Sequence, residues 1–417
     1  MTGIMNTNPP SAIHNQKFKV PMSSPDLIDA EREAVAAVLR TPNLSMGGEI
    51  QAFEAIFRQF SGRRHAIGVS SGTAGLHLCV RAAGIGPGDV VITTPFSFVA
   101  STNVLLFEHA IPVFVDVDPV TGNIDPILVR KAVKDLKEDG SNGSHWLPRQ
   151  NAVDSSTQSR SVSARLKALL PVDVFGQPAD MDIIREIASV YDLPVIEDSC
   201  EALGAEYKGR KAGALGDYGV YAFYPNKQIT TGEGAMIVTD NDQGAQLMQS
   251  LRNQGRAVGD TWLQHTHLGY NYRLDEMSAA LGRVQMGRLE ELLGRRERVA
   301  AWYSERLDEI PGVERLHITP DTTRMSWFVY VVRFPGEVDR DRVAAELEQR
   351  GIPARPYFLP IHLQPYMIEK FGYRAGDFPV TEDLGKRSLA LPFSGVMGED
   401  QVEFVCRELA DVLSKLG

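Results

Sequence analysis

Three short apolar runs within 45 residues, each ended by strong punctuation, constrain this chain more than any other feature. Between Val195 and Asp240 it reads VIEDSCEALGAEYKGRKAGALGDYGVYAFYPNKQITTGEGAMIVTD. The run Pro194 to Ile196 ends on two carboxylates, Glu197 and Asp198. The run Tyr218 to Tyr224 ends at Pro225, Asn226 and Lys227. Behind a turn-forming cluster, Thr230, Thr231, Gly232, Glu233 and Gly234, comes the third, Ala235 to Thr239. Brief apolar runs bounded by such residues read as buried strands. A buried strand of an α/β sheet delivers charged side chains to its C-terminal edge, where ligands bind. Strand alternation sends Glu197 and Asp198 to opposite faces, and only one of them can face a ligand.

The rest of the chain alternates in the same way. Ser24 is a plausible N-cap for LIDAEREAVAAVLR, with Asp26 in the first turn, and a second helix spans Glu49 to Phe60. HAIGVSSGTAGLHLCVRAAGI reads as strand His65 to Val69, a turn through Ser70, Ser71, Gly72 and Thr73, then helix. Backbone amides at such a helix start form an anion site. DVVITTPFSFVASTNVLL repeats strand then helix, IPVFVDVD is another strand closed by the turn DPVTGN, and Pro126 to Lys137 is helical. The segment 138–165 is Ser/Gly/Asn-rich and longer than an ordinary connection, which makes it a surface loop, with a lid as the sharper alternative. LKALLPVDVFGQPADM gives a strand and turn, MDIIREIASVYDL a helix, and Gln243 to Leu251 another. From Asp275 one or two long helices follow, with a break near Leu293-Gly294. This order implies a mainly parallel, doubly wound sheet. The later strands SWFVYVVRF and IPARPYF, with the helices RDRVAAELEQR and EDQVEFVCRELADVLSKL, suggest a smaller α+β unit. The expected division is a polar, disordered 1–17, a large domain 18–290 and a small C-terminal domain 291–417.

An acid at one strand end and a lysine at another is the pair that pyridoxal phosphate (PLP) chemistry requires. The amine holds the cofactor as a Schiff base, and the carboxylate keeps the pyridine nitrogen protonated so that the ring accepts electrons. Alone, a lysine beside a Thr/Gly turn is commonly a solvated residue. The strings SSGTAGL, EDSCEALGA, FYPNKQITTGEG and GYNYR occur together, however. With them the chain resembles the DegT/DnrJ/StrS family of PLP-dependent sugar aminotransferases from roughly Val20 to Leu416. The resemblance implies a fold type I, aspartate aminotransferase-like architecture with Lys227 as the cofactor lysine and Asp198 on the pyridine nitrogen. It puts Gly72 and Thr73 at the phosphate and Phe98 on the ring face. Asn271 would reach the phosphate of a neighbouring subunit, so that a homodimer shares its active sites. Tyr224 and His362 match pocket-lining positions, and nearby Arg355 could meet a substrate phosphate or the donor's carboxylate.

Lys227 stands where some dehydrating relatives carry His, which argues for transamination. Glu201 falls where many members have Gln near the cofactor's phenolic oxygen, a variant resembling relatives that aminate C4 of a sugar. Ala222 falls where many have a phosphate-binding Ser, so the phosphate must lean on Gly72, Thr73 and backbone amides. The implied reaction moves the amino group of L-glutamate to a nucleotide-linked keto-deoxyhexose, with a 4-keto sugar favoured, for a surface glycan such as an O-antigen or for an antibiotic sugar. The rivals are the same chemistry on a cyclitol or another ketone, and a regulator that binds PLP without turnover.

A formal charge of −10 argues against nucleic acid or an anionic membrane as the main partner. Cys79, Cys200 and Cys406 are odd in number and widely spaced, so no disulfide framework or metal cluster follows, and a reducing cytoplasm is the simpler setting. Cys200 reads as a small buried filler, since no His is spaced to activate it. MTGIMNTNPPSAIHNQ has no signal-peptide pattern, and no apolar run approaches the ~20 residues of a membrane span.

Overall fold

Apolar runs of four or five residues alternate with longer amphipathic stretches, and a central sheet covered by helices on both faces is the result. The computed structural model describes residues 19–138, 143–149 and 165–416. The N-terminal stretch 1–17 and most of the segment 138–165 lie outside these. The sheet strands are β1 (His65–Val69), β2 (Val90–Thr93), β3 (Ile111–Phe114), β4 (Leu166–Leu170), β5 (Ile196–Asp198), β6 (Tyr218–Ala222) and β7 (Ala235–Thr239). Ladder pairing gives β1-β7-β6-β5 and β3-β2-β4. Parallel bridges from Leu169 to Val195 and from Val172 to Asp198 join β4 to β5. Every pairing is parallel except those of β7, which runs against both β1 and β6.

Side chains alternate across this sheet with period two. Val220, Ala235 and Ile237 face the core beneath α3 (Gly72–Ala82), whereas Tyr221, Met236 and Val238 face Phe53 and Phe57 of α2 (Gly48–Ser61). The helices α4 (Ala100–Phe107), α5 (Pro126–Glu138), α6 (Met181–Tyr191) and α7 (Asp242–Arg252) follow strands in the βα rhythm that parallel sheets require. Then come α8 (Glu276–Gly287) and α9 (Leu289–Leu307). A second, antiparallel sheet is built from β8 (Glu314–Arg315), β9 (Tyr330–Arg333), β10 (Arg355–Pro356) and β11 (Ser388–Leu391). It shares a separate apolar cluster with α9, α10 (Arg340–Gln349) and α13 (Glu399–Leu416), while α11 (Pro365–Phe371) and α12 (Pro379–Arg387) connect β10 to β11. Among the described residues no helix is long and apolar enough to cross a membrane.

Several expectations are corrected. The first helix, α1 (Asp29–Leu39), begins after Ile28 and not at Ser24, because the Glu31 carboxylate accepts the Ile28 N–H at 3.0 Å. Asp26 is drawn out of any helical turn by Arg288 (3.0 Å) and Arg295 (2.7 Å). The long helical run breaks at Arg288 and not at Leu293-Gly294. The strand expected in IPARPYF shrinks to Arg355–Pro356. The start of the 138–165 segment is tethered: Trp146 donates to Asp135 at 2.9 Å, and Arg149 pairs with Asp377.

One long-range contact fixes how α2 leaves the sheet. Glu276, 2% exposed at the start of α8, accepts the N–H groups of Gly47 (2.8 Å), Glu49 (2.7 Å) and Ile50 (3.3 Å). These are the otherwise unpaired amides of the α2 N-terminus, where a negative charge is favoured. Glu276→Ala is expected to destabilise the fold by roughly 2–4 kcal/mol in urea titration, because three helix-start donors, one buried and two part-buried, lose a charged acceptor.

Candidate active site

The end of β5 sorts its two carboxylates by alternation. Glu197, fully buried, turns from the cavity and accepts the N–H groups of Gly213 (2.7 Å), Leu215 and Gly216 (2.8 Å each), tying down the loop before β6. Burial pushes its carboxyl up, against those three donors. Asp198, 4% exposed, faces the cavity. Its Oδ2 accepts the Ser101 hydroxyl at 2.6 Å and its Oδ1 the Cys200 N–H at 3.1 Å. Among the described residues no cation pairs with it.

Lys227 lies in the arch between β6 and β7. The arch is closed by Lys227 N–H to Tyr224 O (2.9 Å), Thr231 N–H to Phe223 O (3.0 Å) and the Thr230 hydroxyl to Phe223 O (3.1 Å). Gly232, at φ +81°, takes the left-handed conformation the arch needs. The Lys227 side chain is 12% exposed. Its Nζ sits 3.7 Å from the centroid of Phe328 and 3.7 Å from Glu201 Oε1. Glu201 is fixed on its other oxygen by the Phe175 N–H at 2.9 Å. Burial raises the Glu201 carboxyl, and Lys227 pulls it back.

These groups line one cavity of about 800 Å³, together with Ser71, Gly72, Thr73, Phe98, Tyr224 and Arg355. Ser71 caps α3 by accepting the Ala74 N–H at 3.1 Å. A Cβ on Gly72 would lie 3.0 Å from both Ala222 Cβ and Cys200 Sγ, so only glycine lets this helix start approach β6 so closely. Phe98 projects 62% exposed into the opening. The donor set fits PLP: a lysine with a shielded amine, a buried carboxylate lacking a counterion, a helix N-terminus for the phosphate and an aromatic face beside them. The volume falls in the range of sites that hold a cofactor with its substrate.

Two expected residues stand elsewhere. His362 does not border the cavity. It is fully buried beside Phe378, with Nε2 3.0 Å from Glu382, because the short 3-10 turn Ile361–Leu363 points it into the protein; Gln364 borders the cavity instead. Asn271 is exposed and lies outside the cavity of its own chain, bridged to Asn253. Cys200 borders the cavity, but burial and Asp198 hold its thiol well above the usual range, which leaves it without thiolate character. The residues that sequence reading missed are Ser101, Phe328 and Tyr357. For Ser101 there was a signal: it sits one helical turn after Ser97, just past the end of β2, where small hydroxyls face a ligand edge. Phe328 and Tyr357 come from distant segments and gave none.

The chain matches the DegT/DnrJ/EryC1/StrS aminotransferase family over residues 25–410. It is 35% identical over 400 residues to a GDP-perosamine synthase of Caulobacter vibrioides, covering 95% of this chain and 98% of that one. It is 33% identical over 417 residues to the spore coat polysaccharide biosynthesis protein SpsC of Bacillus subtilis, covering 96% and 99%. Among solved structures, DesV of S. venezuelae in complex with a ketimine intermediate superposes with a TM-score of 0.80 at 32% identity, covering 94% and 98%.

The raised Glu201 carboxyl has a testable sign. Above the ordinary carboxyl range the unfolded chain has lost this proton while the folded protein still holds it, so stability from this group falls as pH rises toward the raised value. Glu201→Gln removes that slope. In urea titrations of the apoprotein, the variant is expected to gain on wild type as pH rises above the ordinary carboxyl value of 4.5; a difference that stays constant with pH contradicts the assignment.

Proposed function

Because the chain belongs to the DegT/DnrJ/EryC1/StrS aminotransferase family and is a PLP-dependent sugar aminotransferase, we propose that it transfers the amino group of L-glutamate to the C4 keto carbon of a nucleotide-linked keto-deoxyhexose. The observation that carries this reading is the pair Lys227 and Asp198, set at neighbouring strand ends on one cavity that also has an open anion site. Bound PLP supplies an aldehyde that takes up the amino group and a ring that draws electrons from the reacting carbon.

The chain's own residues divide the remaining work. Lys227 would hold the cofactor through its amine, which is also the group placed to move a proton at the reacting carbon. Asp198, oriented by Ser101 and the Cys200 N–H, holds a proton on the ring nitrogen. The amides of Gly72 and Thr73 would receive the phosphate, and Phe98 would cover the ring and keep water away. Glu201, beside the lysine, would be the acid for the phenolic oxygen. Tyr224 and Arg355 border the outer cavity, where Arg355 is the cation suited to a phosphate or a carboxylate. A homodimer fits the same picture. Among the described residues Lys227 and Arg355 are the only cationic side chains bordering the cavity, while Asn271 and the exposed Val258, Trp262, Leu263 and Leu268 face outward from the own chain's site. Asn271 of a second copy would supply the missing phosphate ligand. SpsC, a spore coat polysaccharide biosynthesis protein, supports a surface polysaccharide as the destination, and the GDP-perosamine synthase supports a nucleotide-linked sugar as the substrate.

With glutamate and a panel of 4-keto and 3-keto nucleotide sugars, 2-oxoglutarate is expected to form fastest with a 4-keto substrate. Lys227→Ala is expected to fold normally and lose about a thousand-fold or more in kcat. Turnover on cyclitols or aromatic ketones alone, or a Lys227→Ala protein as active as wild type, would overturn this reading.

A further inference from the structure

The backbone beneath Lys227 is held from behind by a group outside the cavity. Arg296, on α9, is 4% exposed and pairs with no carboxylate among the described residues. Its guanidinium is spent on main-chain oxygens of two segments. Nη2 donates to Asn226 O at 3.0 Å and to Lys227 O at 2.6 Å, and Nη1 donates to Trp327 O at 3.2 Å and to Phe328 O at 3.3 Å. The two segments are about a hundred residues apart in sequence. They carry the two partners of one contact: the Lys227 amine and the Phe328 ring, 3.7 Å apart.

We propose that Arg296 is the positioning residue of the lysine arch, a clamp that sets the Lys227 main chain against the Phe328 main chain and so aims the amine into the cavity. This rests on the reading of Lys227 as the cofactor lysine. The geometry favours a clamp over a plain core contact in three ways. All four acceptors belong to residues 226, 227, 327 and 328, and none belongs to the neighbouring helices. A buried cation is costly and is not retained in an interior where an apolar side chain would pack as well, unless its donors are needed. The planar fork of arginine reaches two pairs of carbonyls at once, which a lysine ammonium cannot do. Burial draws the guanidinium down to about 10, so it stays charged at neutral pH. Charged donors also withdraw electrons from the Lys227 carbonyl and make the arch rigid when its amine is exchanged between cofactor and solvent.

Full-length wild type, Arg296→Lys, Arg296→Met and Lys227→Ala are freed of cofactor, and PLP is added. The rate of covalent capture is read by mass after borohydride quenching, per folded chain, alongside kcat and KM for the keto sugar. Both Arg296 variants are expected to bind PLP to saturation yet capture it at least about ten-fold more slowly, the Met variant more so. Kcat should fall in step, with KM unchanged. Capture by the Arg296 variants at the wild-type rate, or a change confined to KM, overturns the clamp. Where Arg296→Met does not fold, the capture rate of Arg296→Lys alone decides. Wild type that fixes no PLP overturns the proposed function and this inference with it; normal wild type with unaffected variants overturns only the inference.

Discussion

A carboxylate buried without a counterion is the constraint from which the site follows. Asp173, Glu197, Asp198 and Glu201 are all buried near the ends of β4 and β5, and each has a different set of partners. Asp173 accepts the Ser199 hydroxyl and the Ala179 N–H, Glu197 takes three loop amides, and Glu201 has the Phe175 N–H with Lys227 nearby. Burial pushes the carboxyls of Asp173 and Glu197 up, against the donors they hold. Asp198 has one hydroxyl, one amide and an opening. Charge-assisted hydrogen bonds of roughly 1.5–3 kcal/mol each do not repay several kcal/mol of lost solvation. In the proposed reading, a protonated ring nitrogen in the cavity would close that deficit.

The lysine poses the opposite problem. Its amine must be close to a soft surface and one acid but free to leave both. Phe328 supplies a face for it and Glu201 an acid at 3.7 Å, beyond a hydrogen bond. Position then depends on the main chain, which Gly232, the Thr230 and Thr231 bonds and the Arg296 contacts define from three sides. A long side chain on a fixed arch can swing; the same side chain in a tight ion pair could not.

What was legible in the sequence is local. The ends of β1 and β7 are read correctly to the residue, since burial on both faces leaves largely apolar runs bounded by Arg64 and Ser70 and by Gly234 and Asp240. The opposite orientation of Glu197 and Asp198 follows from strand alternation alone. Wherever a distant partner outbid a local signal, reading failed. Ser24 resembles an N-cap, but Arg288 and Arg295 capture Asp26 and Glu31 anchors Ile28. His362 resembles a pocket residue until Glu382 and Phe378 enclose it. Arg296 sits in GRRERV, where it looks like one more charge on a solvated helix. Only the crossing of α9 behind the arch separates it from Arg295, which pairs at the surface with Glu291.

The departure at Ala222 now has a packing reason. Ala222 Cβ and Cys200 Sγ both lie 3.0 Å from where a Cβ of Gly72 would be, so the first turn of α3 is pressed against the end of β6. Ser71 uses its side chain on the Ala74 N–H and its carbonyl on the Gly75 N–H, which leaves the Gly72 and Thr73 amides pointing out of the helix start. A site that meets a phosphate with main-chain amides and a helix dipole gives up a side-chain hydroxyl but gains rigidity, because neither amide can rotate away. The charge balance is narrow. Among the described residues, a dianion placed near Asp198, Glu201 and Glu233 faces only Lys227 and Arg355 as cations on the cavity wall. In the proposed reading Asn271 of a second copy would add a neutral hydrogen-bond donor to the phosphate, and the charge would be met by these two cations and the helix N-terminus.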